Sequence, residues 1–199
     1  MSTTSARVVL LAGPSGSGKS YIAQRTGLPV LCLDDFYKDG DDLTLPWVGG
    51  KVDWESPDSW DAAGAVQAIA RLAAYGRAEV PVYAIGADRR VATRTIELNG
   101  SPLFVAEGIF AADIVAACRQ RGLLAGAYAL RRPRAMTFVR RLVRDLAERR
   151  KPPMVLLRRG VTLLRADPAV IRRARGLGCE AARGSAVVRA VRALPLSGS

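Results

Sequence analysis

The strongest constraint on this chain is the octapeptide Gly13-Pro14-Ser15-Gly16-Ser17-Gly18-Lys19-Ser20, set directly after the apolar run Val8-Val9-Leu10-Leu11-Ala12. A short unbroken apolar run ahead of a turn signal reads as a strand buried on both faces. The octapeptide fits G-x-x-x-x-G-K-[ST], the P-loop, and stands in the context that motif requires: buried strand, glycine-rich turn, helix. Backbone N–H groups of such a turn converge on one concavity, and the positive end of the following helix adds to their field. Glycine serves where the backbone turns left-handed and approaches a ligand closely. The motif predicts a nucleoside triphosphate held by Gly13, Ser15, Gly16, Ser17, Gly18, Lys19 and Ser20, with Tyr21 beside them. Lys19 would reach the β- and γ-phosphates, and the Ser20 hydroxyl would ligate Mg²⁺.

Beyond the motif, strand and helix signals alternate. That pattern predicts an α/β fold, a three-layer sandwich around a mostly parallel five-stranded sheet. Its strands are expected at Arg7–Ala12, Val30–Leu33, Leu103–Ala106, Leu124–Leu130 and Cys179–Ala182. Ser56-Pro57 has the form of an N-cap and first helical position, opening a helix that Gly76 stops after Tyr75. Further helices are expected from the P-loop to Arg25, over Ala111–Arg121 and over Ser185–Leu194. Within 80–98, Val80–Ile85 and Val91–Leu98 flank Gly86-Ala87-Asp88 as a β-hairpin over the site. Segment 39–55 has no periodicity and reads as a surface loop beside the site. Segment 133–151 reads as a helical, arginine-rich lid, broken by Pro152-Pro153; a further helix is predicted to Arg165, and Asp167-Pro168 caps another. The whole of 1–199 reads as a single domain whose tail, Pro195–Ser199, should fray.

Composition narrows the function classes. No run of about 18 apolar residues exists, so no membrane partner is expected. The first residues lack a basic segment followed by an apolar one, which points to a cytoplasmic protein. Cys32, Cys118 and Cys179 are odd in number and far apart, the pattern of reduced core residues, not of a disulfide frame or zinc site. The absence of histidine removes the commonest general base and metal ligand. The net charge of +12 is lopsided: residues 1–100 carry 10 basic and 12 acidic side chains, and residues 101–199 carry 20 and 6. Such asymmetry raises nucleic acid as a partner. However, 19 of those 20 basic residues are arginine with few aromatics among them, a poorer match to a nucleic-acid surface than to a lid over phosphates. Nucleic acid is therefore disfavoured, and a homo-oligomer stays open.

Phosphoryl transfer needs positioned phosphates, Mg²⁺, charge neutralisation and a carboxylate near the attacking hydroxyl. Asp34 ends the second predicted strand and Glu107 ends the Leu103–Ala106 strand, at the carboxyl edge where such sheets bind ligands. One such carboxylate alone reads more simply as a helix cap or solvated loop residue. Two of them flanking a P-loop read as a site, with Ser20 and Glu107 holding Mg²⁺.

Several further segments fall in a telling order. Leu33-Asp34-Asp35-Phe36-Tyr37-Lys38 resembles the D-[SD]-F-Y segment of the uridine kinase family, within the phosphoribulokinase/uridine kinase group. Val52-Asp53, ahead of Pro57-Asp58-Ser59-Trp60-Asp61, resembles that family's F-D-H-P-D-A-F-D. Pro81-Val82-Tyr83, with Arg90 beyond, is similar to its P-x-Y-D-x-x-x-H-x-R. Phe104-Val105-Ala106-Glu107-Gly108-Ile109 resembles its I-F-E-G-I strand end. Arg140-Arg141-Leu142-Val143-Arg144-Asp145-Leu146-Ala147-Glu148-Arg149 resembles its lid, and Ala182-Arg183-Gly184 the loop near adenine.

The resemblance implies Asp34 as the base that takes the 5′-hydroxyl proton, with Lys19, Arg140 and Arg144 as further catalytic groups. It implies Asp53 on the ribose hydroxyls, Tyr83 against the base, and Tyr37, Asp88 and Arg90 as further acceptor contacts. Arg141 and Arg183 fall to the nucleotide. At spacing i, i+1 and i+4 only one or two of the lid arginines face the site. The chain also departs from the pattern: Asp88 stands for a histidine, Ala84 for an aspartate, Thr137 for an arginine, and Trp54 follows Asp53. An ionised aspartate cannot donate to a pyrimidine carbonyl as histidine can, which puts uridine itself in question. The expected activity is ATP-dependent phosphorylation of a primary hydroxyl on a uridine- or cytidine-like nucleoside. The alternatives are a pantothenate- or sugar-like alcohol as acceptor, or a P-loop ATPase binding nucleic acid or protein through the basic half.

Overall fold

The computed structural model describes residues 6–131 and 169–195. The predicted lid 133–151, with Arg140, Arg141 and Arg144, the helix expected to Arg165, the Asp167-Pro168 cap and residues 196–199 lie outside the described residues.

Strand β1 (Arg7–Ala12) is the middle of the molecule. Its apolar run serves two cores: Val8, Leu10 and Ala12 belong to one, and Val9 and Leu11 to the other. This is why the sequence does not alternate there. Helix α1 (Lys19–Thr26) follows the P-loop, then β2 (Val30–Cys32). Strands β3 (Trp47–Val48) and β4 (Lys51–Val52) form a small hairpin, followed by α2 (Ala62–Tyr75). A second hairpin joins β5 (Arg77–Ala84) to β6 (Arg89–Glu97). Then come β7 (Leu103–Glu107), α3 (Val115–Gln120), β8 (Leu124–Leu130), α4 (169–176), β9 (Glu180–Ala182) and α5 (Gly184–Arg192). The central sheet runs β2-β7-β1-β8-β9, and each of its pairings is parallel. Helices α1 and α5 cover one face through Ile22, Ala23, Val187, Val188 and Val191. The other face is covered by α2, α3 and α4 through residues such as Ile69, Val115 and Ala174. The result is the expected three-layer α/β sandwich.

Four local expectations change. Strand β2 stops at Cys32, and Leu33–Phe36 forms a 3₁₀ turn that carries Asp34 and Asp35. Ser56 does cap, accepting the Asp58 N–H at 3.3 Å, but it caps only the 3₁₀ turn Pro57–Ser59. The buried Trp60 then takes extended backbone and donates its indole N–H to the Leu33 carbonyl at 2.7 Å. Helix α2 restarts at Ala62 under a new N-cap, Asp61, which accepts from the Gly64 N–H at 2.8 Å. The predicted helix 111–121 likewise divides into a 3₁₀ turn, Ala111–Ile114, and α3. Segment 39–55 is not wholly irregular, because the β3–β4 hairpin closes around Gly49-Gly50. Among the described residues no helix is long and apolar enough to cross a membrane.

Candidate active site

Gly16 and Gly18 take left-handed backbone, at φ 75° and 83°, and Gly18 is the N-cap of α1. The loop therefore turns its amides inward ahead of the helix. A Cβ on Gly13 would meet the Ser17 Oγ at 3.1 Å and Leu130 at 3.4 Å. Ser17 Oγ is buried with no hydrogen-bond partner among the described residues. Lys19 is buried too, its Nζ donating to the Pro14 carbonyl at 3.4 Å. A buried hydroxyl left without a partner, beside a buried ammonium and left-handed glycines, fits an oxyanion. Ser15 is half-buried in the same loop. Tyr21 points outward, 51% exposed, with the Arg25 guanidinium 5.8 Å from its ring centre. Arg183 precedes α5, and a Cβ on the adjoining Gly184 would run into Ile22 of α1, so this loop presses against the helix behind the P-loop.

The parallel register sets the carboxylates. Leu11 of β1 and Cys32 of β2 both stand opposite Glu107 of β7. Ser20 donates its hydroxyl to Glu107 Oε1 at 2.7 Å. Burial holds the Glu107 carboxyl above its usual range; the charge of Lys19 and the Ser20 bond pull it back, while Asp34 and Asp35 raise it further. Asp34 Oδ1 accepts the Ile109 N–H at 3.2 Å. The close approach depends on Gly108, where a Cβ would stand 2.8 Å from Leu33 Cβ and 3.0 Å from Asp34 Oδ1. Lys19 with Ser20, Asp34 and Glu107, from three separate stretches of the sequence, thus come together at one edge of the sheet. Among the described residues no group of three or more Asp, Glu, His or Cys forms a metal cage. The donor set of Ser20 and Glu107 suits Mg²⁺, which keeps most of its ligands as water and phosphate. Burial pushes the neighbouring Cys32 thiol up to about 12, so it stays protonated.

The other expected residues gather around Tyr37. Its ring lies 5.7 Å from those of Trp54 and Tyr83 and 5.9 Å from Phe110, and its hydroxyl donates to the Trp54 carbonyl at 3.2 Å. Burial pushes its phenol up. Tyr83 donates its hydroxyl to the Lys38 carbonyl at 3.2 Å; burial, then Asp88 and Asp39, push its phenol up to about 12. Asp53 is half-buried, accepting the Glu55 N–H at 3.1 Å. Asp88 sits at the tip of the β5–β6 hairpin with φ 48°, its carbonyl accepting the Gly40 N–H at 2.6 Å. Arg90 turns its guanidinium onto the Phe36 and Tyr37 carbonyls and Asp61. Three participants escape sequence reasoning. Trp54 looked like a break in the F-D-H segment. Phe110 carries no motif of its own. Asp35 binds the Arg94 guanidinium at 3.1 Å and the Tyr83 N–H at 3.3 Å, tying the hairpin to the 3₁₀ turn that carries Asp34.

No protein-family model matches the chain. A uridine kinase of Lactobacillus johnsonii is 29% identical over 150 residues, spanning 71% of this chain and 69% of the relative. A uridine kinase of Schizosaccharomyces pombe is 31% identical over 113 residues, 53% of this chain and a quarter of that longer protein. A Silicibacter structure described as a fructose transport system kinase superposes with a TM-score of 0.63, at 20% identity over 85% of each chain, which bears on the fold alone. Sheet order, P-loop and helix layers define a P-loop kinase fold. Within that class the chain is an ATP-dependent kinase similar in sequence to proteins named uridine kinase.

Proposed function

We propose that the protein transfers the γ-phosphoryl group of ATP to a primary hydroxyl of a nucleoside-like small molecule. The observation that carries this reading is the juxtaposition of Asp34 with Lys19, Ser20 and Glu107 at one sheet edge, next to the Tyr37–Trp54–Tyr83 wall. The loop amides, Ser17 and Lys19 bind the phosphates. Ser20 and Glu107 hold Mg²⁺, which when bound neutralises charge on the transferring phosphate. The Ile109 N–H fixes the Asp34 carboxylate, leaving its second oxygen to accept the hydroxyl proton as the acceptor oxygen bonds to the γ-phosphorus and ADP departs. An ordinary carboxylate suffices, since the proton leaves late in a loose transition state. Asp53 accepts hydrogen bonds from a vicinal diol. Arg140, Arg141 and Arg144 are assigned to closure over the phosphates, and Arg183 to the nucleotide side.

The relatives named uridine kinase favour uridine or cytidine as acceptor. A sugar-like alcohol is the second reading, because a carboxylate such as Asp53 recognises any vicinal diol. The test is a panel of nucleosides and small alcohols incubated with Mg-ATP, with products identified by mass. A phosphorylated nucleoside is the expected outcome. ATP hydrolysis indifferent to every acceptor but raised by RNA or DNA would replace this reading with the nucleic-acid ATPase.

A further inference from the structure

A cleft of about 570 Å³ opens at the root of the β5–β6 hairpin, where the last turn of α2 meets the first residues of β5. Its walls are Arg71 and Tyr75 from α2, Arg77, Ala78 and Glu79 from β5, and Thr95 from β6. The cleft is remote from the phosphate cradle. The carbonyl of Ala73, between Arg71 and Tyr75 on the helix, accepts the Ala6 N–H at 3.0 Å just ahead of β1, whereas the P-loop follows the far end of that strand. The six residues of β1, at about 3.3 Å each, set the two regions roughly 20 Å apart.

The side chains of Arg71, Tyr75 and Arg77 are exposed, Tyr75 to 77%, and none of the three makes a hydrogen bond, ion pair or ring contact with the described residues. Arginines near a helix C-terminus often serve its orphan carbonyls. Here main-chain amides do so: the Gly76 N–H binds the Leu72 carbonyl at 2.9 Å, Ala6 that of Ala73, and Leu98 that of Gly76 at 2.7 Å. Neither guanidinium takes part. Spacing i, i+4 puts Arg71 and Tyr75 on one helix face. Gly76, left-handed at φ 70°, then turns the chain so that Arg77 opens β5 beside them. Along β5 the exposed Arg77 and Glu79 alternate with the buried Ala78 and Val80, and Thr95 stands opposite Glu79. Two free guanidiniums offer forked donors to a phosphate, and an exposed phenol ring offers a face for stacking. Glu79 in the same wall accepts from an amine or hydroxyl and repels a second phosphate.

We propose that this cleft is a second ligand site, separate from the kinase centre, that binds a nucleoside monophosphate with its phosphate on Arg71 and Arg77 and its ring on Tyr75. The volume suits one small ligand, and the Glu79 carboxylate disfavours a polyanion such as RNA. The site stands whichever alcohol the kinase centre phosphorylates. In the experiment the full chain, its P-loop filled with a non-hydrolysable Mg-ATP analogue, is titrated calorimetrically with AMP, adenosine and inorganic phosphate. AMP should bind at least about tenfold more tightly than either fragment, because only AMP engages both the guanidiniums and the ring. Arg71→Ala and Arg77→Ala should each weaken AMP by about tenfold, the scale of one lost hydrogen bond to a charged group. Tyr75→Ala should weaken AMP and leave inorganic phosphate unchanged. All three side chains are exposed, so Tm and affinity for the ATP analogue should hold in each variant. AMP affinity unchanged in both arginine variants would assign the binding to the kinase centre and overturn the inference. So would no measurable binding of AMP, or an RNA oligonucleotide that binds through the same arginines more tightly than AMP.

Discussion

Asp34 owes its position to a neighbour that has no side chain. Gly108 lets Leu33 and the Asp34 carboxylate close onto the end of β7, where the Ile109 N–H fixes one oxygen. Gly108→Ala should displace that carboxylate and lower kcat by on the order of 10²-fold, since misplacement by about 1 Å can cost that much, while ATP binding holds. Asp34→Asn should also spare ATP binding and lower phosphoryl transfer by about 10²-fold or more. Equal loss of binding and turnover would make Asp34 structural. Lys19→Ala is the contrasting case: nucleotide-dependent turnover should vanish, and a near-normal rate would sink the phosphate-binding role. These residues were legible in advance because the P-loop is a local pattern, Glu107 ends a recognisable strand and Asp34 follows just past another. Trp54, Phe110 and Asp35 were not, because their partners lie across the sheet edge and nothing in their own spacing announces a shared cluster.

At the scale of elements, the hairpin is attached to the acceptor side by two arginines of β6. Arg94 pairs with Asp35 at 3.1 Å and Arg90 with Asp61 at 3.3 Å, so strand β6 is tied both to the 3₁₀ turn of Asp34 and to the N-cap of α2. A double-mutant cycle on Asp35→Ala and Arg94→Ala should give a coupling of about 0.5–1 kcal/mol, the range for a pair still partly exposed to water. The acceptor KM should rise with the KM for ATP unmoved; a rise in both would mean that the pair serves global stability. The same region explains why Ser56-Pro57 misled. Its capping chemistry is local and does form, but the helix it would open is interrupted because Trp60 must bury its ring and find the Leu33 carbonyl. A satisfied indole outranks a continued helix, as an unpaired buried donor costs about 1–3 kcal/mol.

Across the whole molecule, the packing of the last helix on the first closes the layer behind the P-loop. Gly184 meets Ile22 there, and Arg192 donates to the Arg25 carbonyl at the end of α1 at 3.1 Å. Gly184→Ala should cost about 1–3 kcal/mol by overpacking. In a chain of this size each kcal/mol lowers Tm by about 2–4 °C, measurable by thermal unfolding. An unchanged Tm would mean that the interface yields without cost. Read along the chain, the residues determined the phosphate cradle, the parallel strands and the carboxylates at their ends, because each depends on neighbours a few positions away: an apolar run, a glycine turn, a strand terminus. Only the tertiary structure decided which donors and acceptors remain for an acceptor molecule. Hydrogen bonds between Tyr83 and Lys38, Arg90 and Tyr37, and Arg94 and Asp35 join segments separated by 45 to 59 positions, and no local pattern encodes which partner a side chain finds once the layers close.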